Sequence, residues 1–311
     1  MELVSAIITT HGRLDLLKLA IKSVQEQTYP YIEIIVVDDC SKDGTKEWFK
    51  DNKDASIKYI YIPKEQSKGG NHARNIGIKE ASGKYLAFLD DDDEWLETKI
   101  EKQVQLMKEN SNVGLVYCGH TKCYENGNRI DFIPSQLYTG NLSSKVFTMV
   151  FCTTSMILVK KSVLNEAGLF DENLSFWQEY DLVIRICQCC EVQRVPEVLV
   201  NILHSANDPS RLSSKIDGWL NAVEYVNEKY KKELKALSDD DLNARQLMIY
   251  NDAANRCAIS GDMKRHKEFL RKAWKVDNSF KHYIKYKLNI TNYKMDRFRQ
   301  FMRRWNQWQK R

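Results

Sequence analysis

No run of apolar residues in this sequence approaches the roughly 20 that a membrane-spanning helix needs. The first strand-like run begins at Leu3, which leaves no room for a signal peptide, so a cytoplasmic protein is expected. Glycine and proline are sparse, 13 and 5 in 311 residues, and this excludes collagen-like and repetitive chains. At 43% hydrophobic, the composition also excludes a disordered chain that cannot bury a core. The eight cysteines are scattered through apolar segments and lack the dense framework of a small secreted domain. Cys187 and Cys190 have CxxC spacing with Cys189 between them, but no second CxxC or CxxH pair accompanies them. They close a helix-like run over 181–190, and buried thiols are expected there rather than a zinc site. Zinc-finger, helix-turn-helix and RNA-binding signatures are missing as well, so no nucleic-acid partner is expected.

What is present is unevenly distributed. The net charge of +5 hides an asymmetry: residues 1–209 carry 23 Lys+Arg against 30 Asp+Glu, whereas residues 210–311 carry 24 against 12. An acidic part is joined to a basic one, and the hydrophobic period changes near the same place. Residues 4–8 form a short β-rich run, followed over 14–27 by Leu14, Leu17, Ile21 and Val24 at helical spacing. Residues 32–37 are nearly all apolar, as in a strand covered on both faces. A helix is predicted to start near Thr45, a third strand over 57–62, a helix over 71–81 and a fourth strand over 85–89. Strands alternating with helices imply an α/β fold with a mostly parallel sheet and right-handed crossovers.

From 113 to 202 the alternation loosens, with strand-like runs at 156–159 and 199–202 that are expected to extend the same sheet. Beyond Lys215 the pattern is helical over 219–235, 241–259, 262–276 and from 292 onward. The segment 253–276, broken by Ser260-Gly261-Asp262, reads as a helical hairpin. Two domains are expected, 1–210 and a basic α-helical 211–311.

In sheets of this kind ligands gather at the carboxyl ends of the strands. There the sequence places Thr9-Thr10-His11, Asp38-Asp39 and Asp90-Asp91-Asp92-Asp93. Four consecutive carboxylates repel one another. Directly after an apolar strand they read as a cation site, because hard divalent ions take carboxylate oxygens and bridge them to substrate phosphates.

The segments Val4-Ser5-Ala6-Ile7-Ile8-Thr9-Thr10-His11-Gly12-Arg13, Val36-Val37-Asp38-Asp39-Cys40-Ser41, Ala73-Arg74-Asn75-Ile76-Gly77 and Ala87-Phe88-Leu89-Asp90-Asp91-Asp92-Asp93 follow one another in a telling order. With Gly168-Leu169-Phe170-Asp171-Glu172 and Trp177-Gln178-Glu179-Tyr180-Asp181, they resemble the successive motifs of family 2 glycosyltransferases. The resemblance covers roughly residues 3–205. It implies a GT-A fold and inverting transfer of a sugar from a nucleotide donor, UDP being the expected nucleotide, to a glycan or lipid-linked glycan. Relatives of this bacterial type build capsule, O-antigen and other surface polysaccharides.

By the resemblance, Thr9, His11, Asp39, Arg74, Asp90 and Asp91 hold the donor nucleotide, with Asp39 accepting from the base. Asp92 and His204 are the expected ligands of Mn²⁺ or Mg²⁺, within an Asp90–Asp92 DxD pair. His11 departs from the family, which has Tyr at that position. The catalytic base aligns with Glu179 where most members have Asp, and a glutamate performs the same proton abstraction with one more methylene of reach. Asp181 lies about 200° around the helix from Glu179 and is expected to pair with Arg185 at i,i+4. A catalytically inactive nucleotide-sugar-binding protein of the same fold is the alternative reading.

The last 48 residues contain 16 Lys+Arg and three acidic residues. Met295, Phe298, Phe301, Met302, Trp305 and Trp308 recur there at helical spacing among arginines. Such a helix fits an anionic membrane surface through residues 292–311, which would make the protein peripheral on the inner face of the membrane. It equally fits packing on the catalytic domain or on a second subunit of a homodimer.

Overall fold

A computed structural model describes residues 2–52, 54–204 and 215–288. The chain divides into two compact units, Met1–Val146 with Val150–Ser205, and Phe147–Met149 with Ala206–Arg311.

The first unit is built on a sheet. Strands β1 (Val4–Thr10), β2 (Ile32–Asp39), β3 (Ile57–Ile62) and β4 (Tyr85–Asp90) alternate with helices α1 (Leu14–Gln25), α2 (Thr45–Asp51) and α3 (Gly70–Glu80). These four strands pair in parallel in the order β3-β2-β1-β4. Every residue of β1 is buried, the polar Ser5, Thr9 and Thr10 included, as in a strand covered on both faces. Helix α3 packs against β1 through Gly77, where a Cβ would collide with Ile7 Cγ2. The winding reverses between β1 and β4, and such a switch point leaves a crevice beyond the strand ends.

Beyond β4 come β5 (Asp93–Trp95), α4 (Lys99–Glu109), β6 (Val113–Tyr124), β7 (Arg129–Phe132), β8 (Leu158–Lys160), α5 (Lys161–Ala167), α6 (Gln178–Cys189) and β9 (Glu191–His204). They extend the sheet to the order β3-β2-β1-β4-β8-β6-β9-β5, with β7 paired to β6. Strand β8 is antiparallel to both neighbours and β5 to β9, so the sheet is parallel at one end and mixed at the other. The 12-residue β6 is the element that periodicity leaves unresolved, because glycine interrupts it twice. At Gly119 a Cβ would lie 2.6 Å from the Phe132 carbonyl oxygen and 2.7 Å from that of Glu197. The pairing register with β9 shifts at the same residue, so a weak strand former is required where two backbones close in.

Helix α4 carries two polar side chains into the core. Gln103 donates to the carbonyls of Val116 and Met156 at 3.0 and 2.8 Å. Lys99 is fully buried, donates to Gln103 Oε1 at 2.8 Å, and sits 4.1 Å from the centre of the Trp95 ring. At the end of α6, Cys187 is buried, while the Cys189 and Cys190 thiols each lie 3.4 Å from a carbonyl of their own helix. Burial pushes the Cys190 thiol up to about 11.

The second unit is helical: α7 (Ile216–Lys229), α8 (Lys231–Lys235), α9 (Asp239–Ile259), α10 (Met263–Asp277) and α11 (Phe280–Leu288). Side-chain oxygens of Ser238 and Asp262 cap α9 and α10 by accepting from Asp241 N and Arg265 N. The hairpin expected over 253–276 is present as α9 and α10, closed over Ala253, Ala254, Cys257, Phe269 and Ala273. His266 lies in that seam and donates through Nδ1 to the Ala254 carbonyl at 2.7 Å. Among the described residues no helix is long and apolar enough to cross a membrane. The expected membrane-facing segment 292–311 lies outside the described residues.

Candidate active site

The polar strand ends meet over the switch point. Thr9 is buried on β1, paired with Val37 on one side and with Asp90 on the other. On β2 the two aspartates divide in role. Asp38 is fully buried and saturated: Oδ1 accepts from Ser41 N at 2.8 Å and Oδ2 from the Tyr59 hydroxyl at 2.6 Å. Asp39 is also buried, and its Oδ2 accepts from Gly69 N at 3.0 Å, but its Oδ1 has no hydrogen-bond partner. A buried carboxylate oxygen left unpaired costs free energy and calls for an explanation; a donor group on a ligand supplies one. His11 is exposed, and its Nδ1 donates to the Asp39 carbonyl oxygen. It lines a cleft of 450 Å³ together with Lys42 and Lys64.

The four consecutive aspartates separate into two pairs. Asp91 is fully buried, with Oδ2 accepting from Thr10 Oγ1 at 2.6 Å and from Arg13 Nε at 3.1 Å. Asp93 is buried and accepts from Ser155 Oγ at 2.5 Å. Burial pushes the Asp91 carboxyl up to about 6, against the pull of Arg13, and lifts Asp93 well above the usual range, helped by the charges of Asp90 and Asp92. Asp91 was expected to face the donor. Instead its carboxylate is turned inward, where it holds Arg13. Asp90 and Asp92 keep exposed surface, 33% and 18% of their side chains. Asp90 accepts from Arg74 at 2.6 Å, and Asp92 from Arg13 at 2.9 Å.

This arrangement suits a hard divalent cation in part. Among the described residues no group of three or more His, Cys, Asp or Glu is gathered so as to hold a metal unaided. Two partly exposed carboxylates with one residue between them match an ion that takes one or two protein oxygens and completes its shell with water and substrate phosphate. The His204 backbone ends β9 opposite Tyr124, but its side chain lies outside the described residues.

Arg74 is buried on α3 beneath this cluster. Burial alone would lower its pKa, but the charges of Asp90, Glu179 and Asp91 raise it. Glu179 is thus electrostatically coupled to the guanidinium that binds Asp90. It is half-buried in the first turn of α6, where the helix N-terminus favours a carboxylate. Trp177, just before that turn, has φ of 58°, a left-handed conformation that a bulky residue adopts only when held there. Asp181 is fully buried and paired with Arg185 at 2.8 Å, as its i,i+4 spacing predicts. Arg185 also donates to the carbonyls of Ala167 and Leu169, so Asp181 anchors a loop and is not placed to take a proton.

Several residues were given no role by sequence reasoning. Asn71 donates to the carbonyls of Asp171 and Leu174, and Asn75 to the carbonyl of Phe170 and to Glu172. Together they clamp the loop before Glu179 onto α3. Ser155 Oγ accepts from Asp90 N while donating to Asp93, and Arg13 spans Asp91 and Asp92. Arg13 and Asn75 lie within the segments that carry the family resemblance; Asn71 and Ser155 do not.

A doubly wound sheet with a carboxylate-rich loop at its switch point and a mixed extension beyond it defines the GT-A class of α/β fold. The chain belongs to Glycosyl transferase family 2, which it matches over residues 5–168. It is 33% identical over 230 residues to an uncharacterized glycosyltransferase of Rickettsia conorii, covering 72% of this chain and 37% of that protein. The chain therefore spans about two fifths of that relative's length. It is 44% identical over 108 residues, 35% of this chain and 42% of the relative, to the Escherichia coli UDP-Glc:alpha-D-GlcNAc-diphosphoundecaprenol beta-1,3-glucosyltransferase WfaP. Its fold is similar to that of S. aureus TarS 1–349, solved in complex with UDP-GlcNAc, with a TM-score of 0.55 and 15% identity over 92% of each chain.

Proposed function

We propose that this chain transfers a sugar, with inversion, from a UDP-sugar to a hydroxyl of a lipid-linked glycan in cell-surface polysaccharide synthesis. The observation that carries the reading is the unpartnered, buried Asp39 Oδ1 at the end of β2, an acceptor positioned for the imide N–H of uracil. Thr9 and His11 flank it, and Arg74 lies on the diphosphate side with Asp90. Asp92, with Asp90 beside it and His204 as a further proposed ligand, would hold a Mn²⁺ or Mg²⁺ ion, which would supply Lewis-acid neutralisation of the departing diphosphate.

Glu179 is the base. It takes the proton of the acceptor hydroxyl, whose oxygen attacks the anomeric carbon from the face opposite the leaving group and so inverts it. Arg74, coupled to both Glu179 and Asp90, binds the donor side. The WfaP relative names a diphosphoundecaprenol acceptor, and an acceptor of that kind places the reaction at the inner face of a membrane. The test is a screen of nucleotide sugars for Mn²⁺-dependent release of nucleoside diphosphate. UDP release that is lost in Asp92→Ala and in Glu179→Gln is the expected result. No donor turned over, or turnover unchanged in both variants, overturns the reading.

A further inference from the structure

Helix α10 carries a pattern that the proposed chemistry does not use. Its buried residues, His266, Phe269, Leu270 and Ala273, occupy one side of the helical wheel. Lys264, Lys267, Arg271 and Lys275 are all exposed, and at 100° per residue they fall within an arc of about 80° directly opposite that side. Along the axis the four span roughly 16 Å, about one cation per turn. Among the described residues none of the four is held in an ion pair. The acidic residue nearest the stripe, Glu268, is bound by Lys272 at 2.9 Å.

Aromatic residues border the stripe. Trp274 stacks on Tyr286 of α11 at 5.8 Å, Tyr283 meets Trp274 edge-on at 5.3 Å, and Lys267 Nζ lies 5.9 Å from the Tyr286 ring centre. Tyr283 is 36% and Leu288 67% exposed. We infer that the α10 stripe, with its flanking aromatics, is a docking surface for an anionic lipid bilayer.

The stripe runs along the exposed face of one helix, which presents its cations together to a plane of headgroups, whereas a single polysaccharide strand needs a lined groove. Amphipathic aromatics beside lysines are what the headgroup level favours. Opposite charge supplies attraction for as long as the cations lie within a screening length of the lipid. The inference rests on the lipid-linked acceptor reading for its purpose, but its test needs neither donor nor turnover.

The experiment is co-sedimentation of the full chain with phosphatidylcholine vesicles and with vesicles containing about one-third phosphatidylglycerol. Binding to the anionic vesicles alone, abolished near 1 M salt where screening falls to about 3 Å, is expected. Replacing Lys264, Lys267, Arg271 and Lys275 by Gln is expected to weaken binding about fivefold per cation, with the thermal midpoint unchanged because all four are exposed. A second variant replaces Arg297, Arg299, Arg303 and Arg304 by Gln and leaves α10 intact. Wild-type vesicle binding by the α10 variant, or binding lost only in the second variant, overturns the inference. So does tighter binding to a soluble anionic polysaccharide than to the vesicles. If vesicle binding holds while no donor is turned over, the docking surface stands and the transferase reading fails.

Discussion

The two units of this chain handle charge in opposite ways. The sheet unit takes several ionic groups inside: Asp38, Asp91, Asp181 and Lys99 are fully buried, and Arg74 and Asp93 nearly so, beside exposed pairs such as Lys58–Glu80. In the helical unit charge lies mostly on exposed helix faces, as in the Lys272–Glu268 and Lys231–Glu228 pairs. Buried charge is expensive to desolvate and is kept only where paired or functional, whereas exposed pairs contribute little. Net charge counts both kinds alike. The contrast separates a unit whose ions are machinery from one whose ions are a surface.

Substitutions test this contrast in order of expected size. Glu179→Gln should lower sugar transfer by about a hundredfold to ten-thousandfold, the range for loss of a general base, with the melting temperature unchanged; initial-rate assays beside calorimetry check both halves. Arg185→Met removes the guanidinium that ties buried Asp181 to the carbonyls of Ala167 and Leu169 and should lower unfolding free energy by about 3–5 kcal/mol, read as a fall in denaturant midpoint. A loss below about 1 kcal/mol would show that Asp181 is not the buried ion it looks to be.

Lys99 gives a pH signature. Burial pulls its pKa from 10.5 down to about 8. Between those values the unfolded chain holds a proton that the native state has released, so stability rises with pH across this window, and below about 8 the native state bears the full desolvation cost. Lys99→Met should therefore be more stable than wild type at neutral pH by about 3 kcal/mol. That advantage should shrink as pH rises from about 8 toward 10.5. A pH-independent difference in urea titrations would contradict it. The smallest effect belongs to the helical unit, where Glu268→Ala removes an exposed i,i+4 pair and should cost less than about 0.5 kcal/mol.

Much of the parallel half was legible in the sequence because its strands are apolar runs that end in polar residues, and because α1 keeps a clean helical period. The Asp181–Arg185 pair was legible because i,i+4 geometry is local. Strand β6 was not, since Gly119 serves a backbone approach made by residues distant in sequence. Nor was the division of labour within Asp90–Asp93. Which carboxylate turns inward depends on Thr10, Arg13 and Ser155, brought there by three other segments. Lys99 was invisible for a related reason: in a sequence, a lysine at a helix start reads as a solvated one.

The asparagine clamp has a consequence for the geometry of reaction. Arg74 and the two asparagines that fix the loop before Glu179 all belong to α3. In the proposed reading, donor cradle and proton acceptor thus share one mounting, so a substitution that shifts α3 reaches both at once.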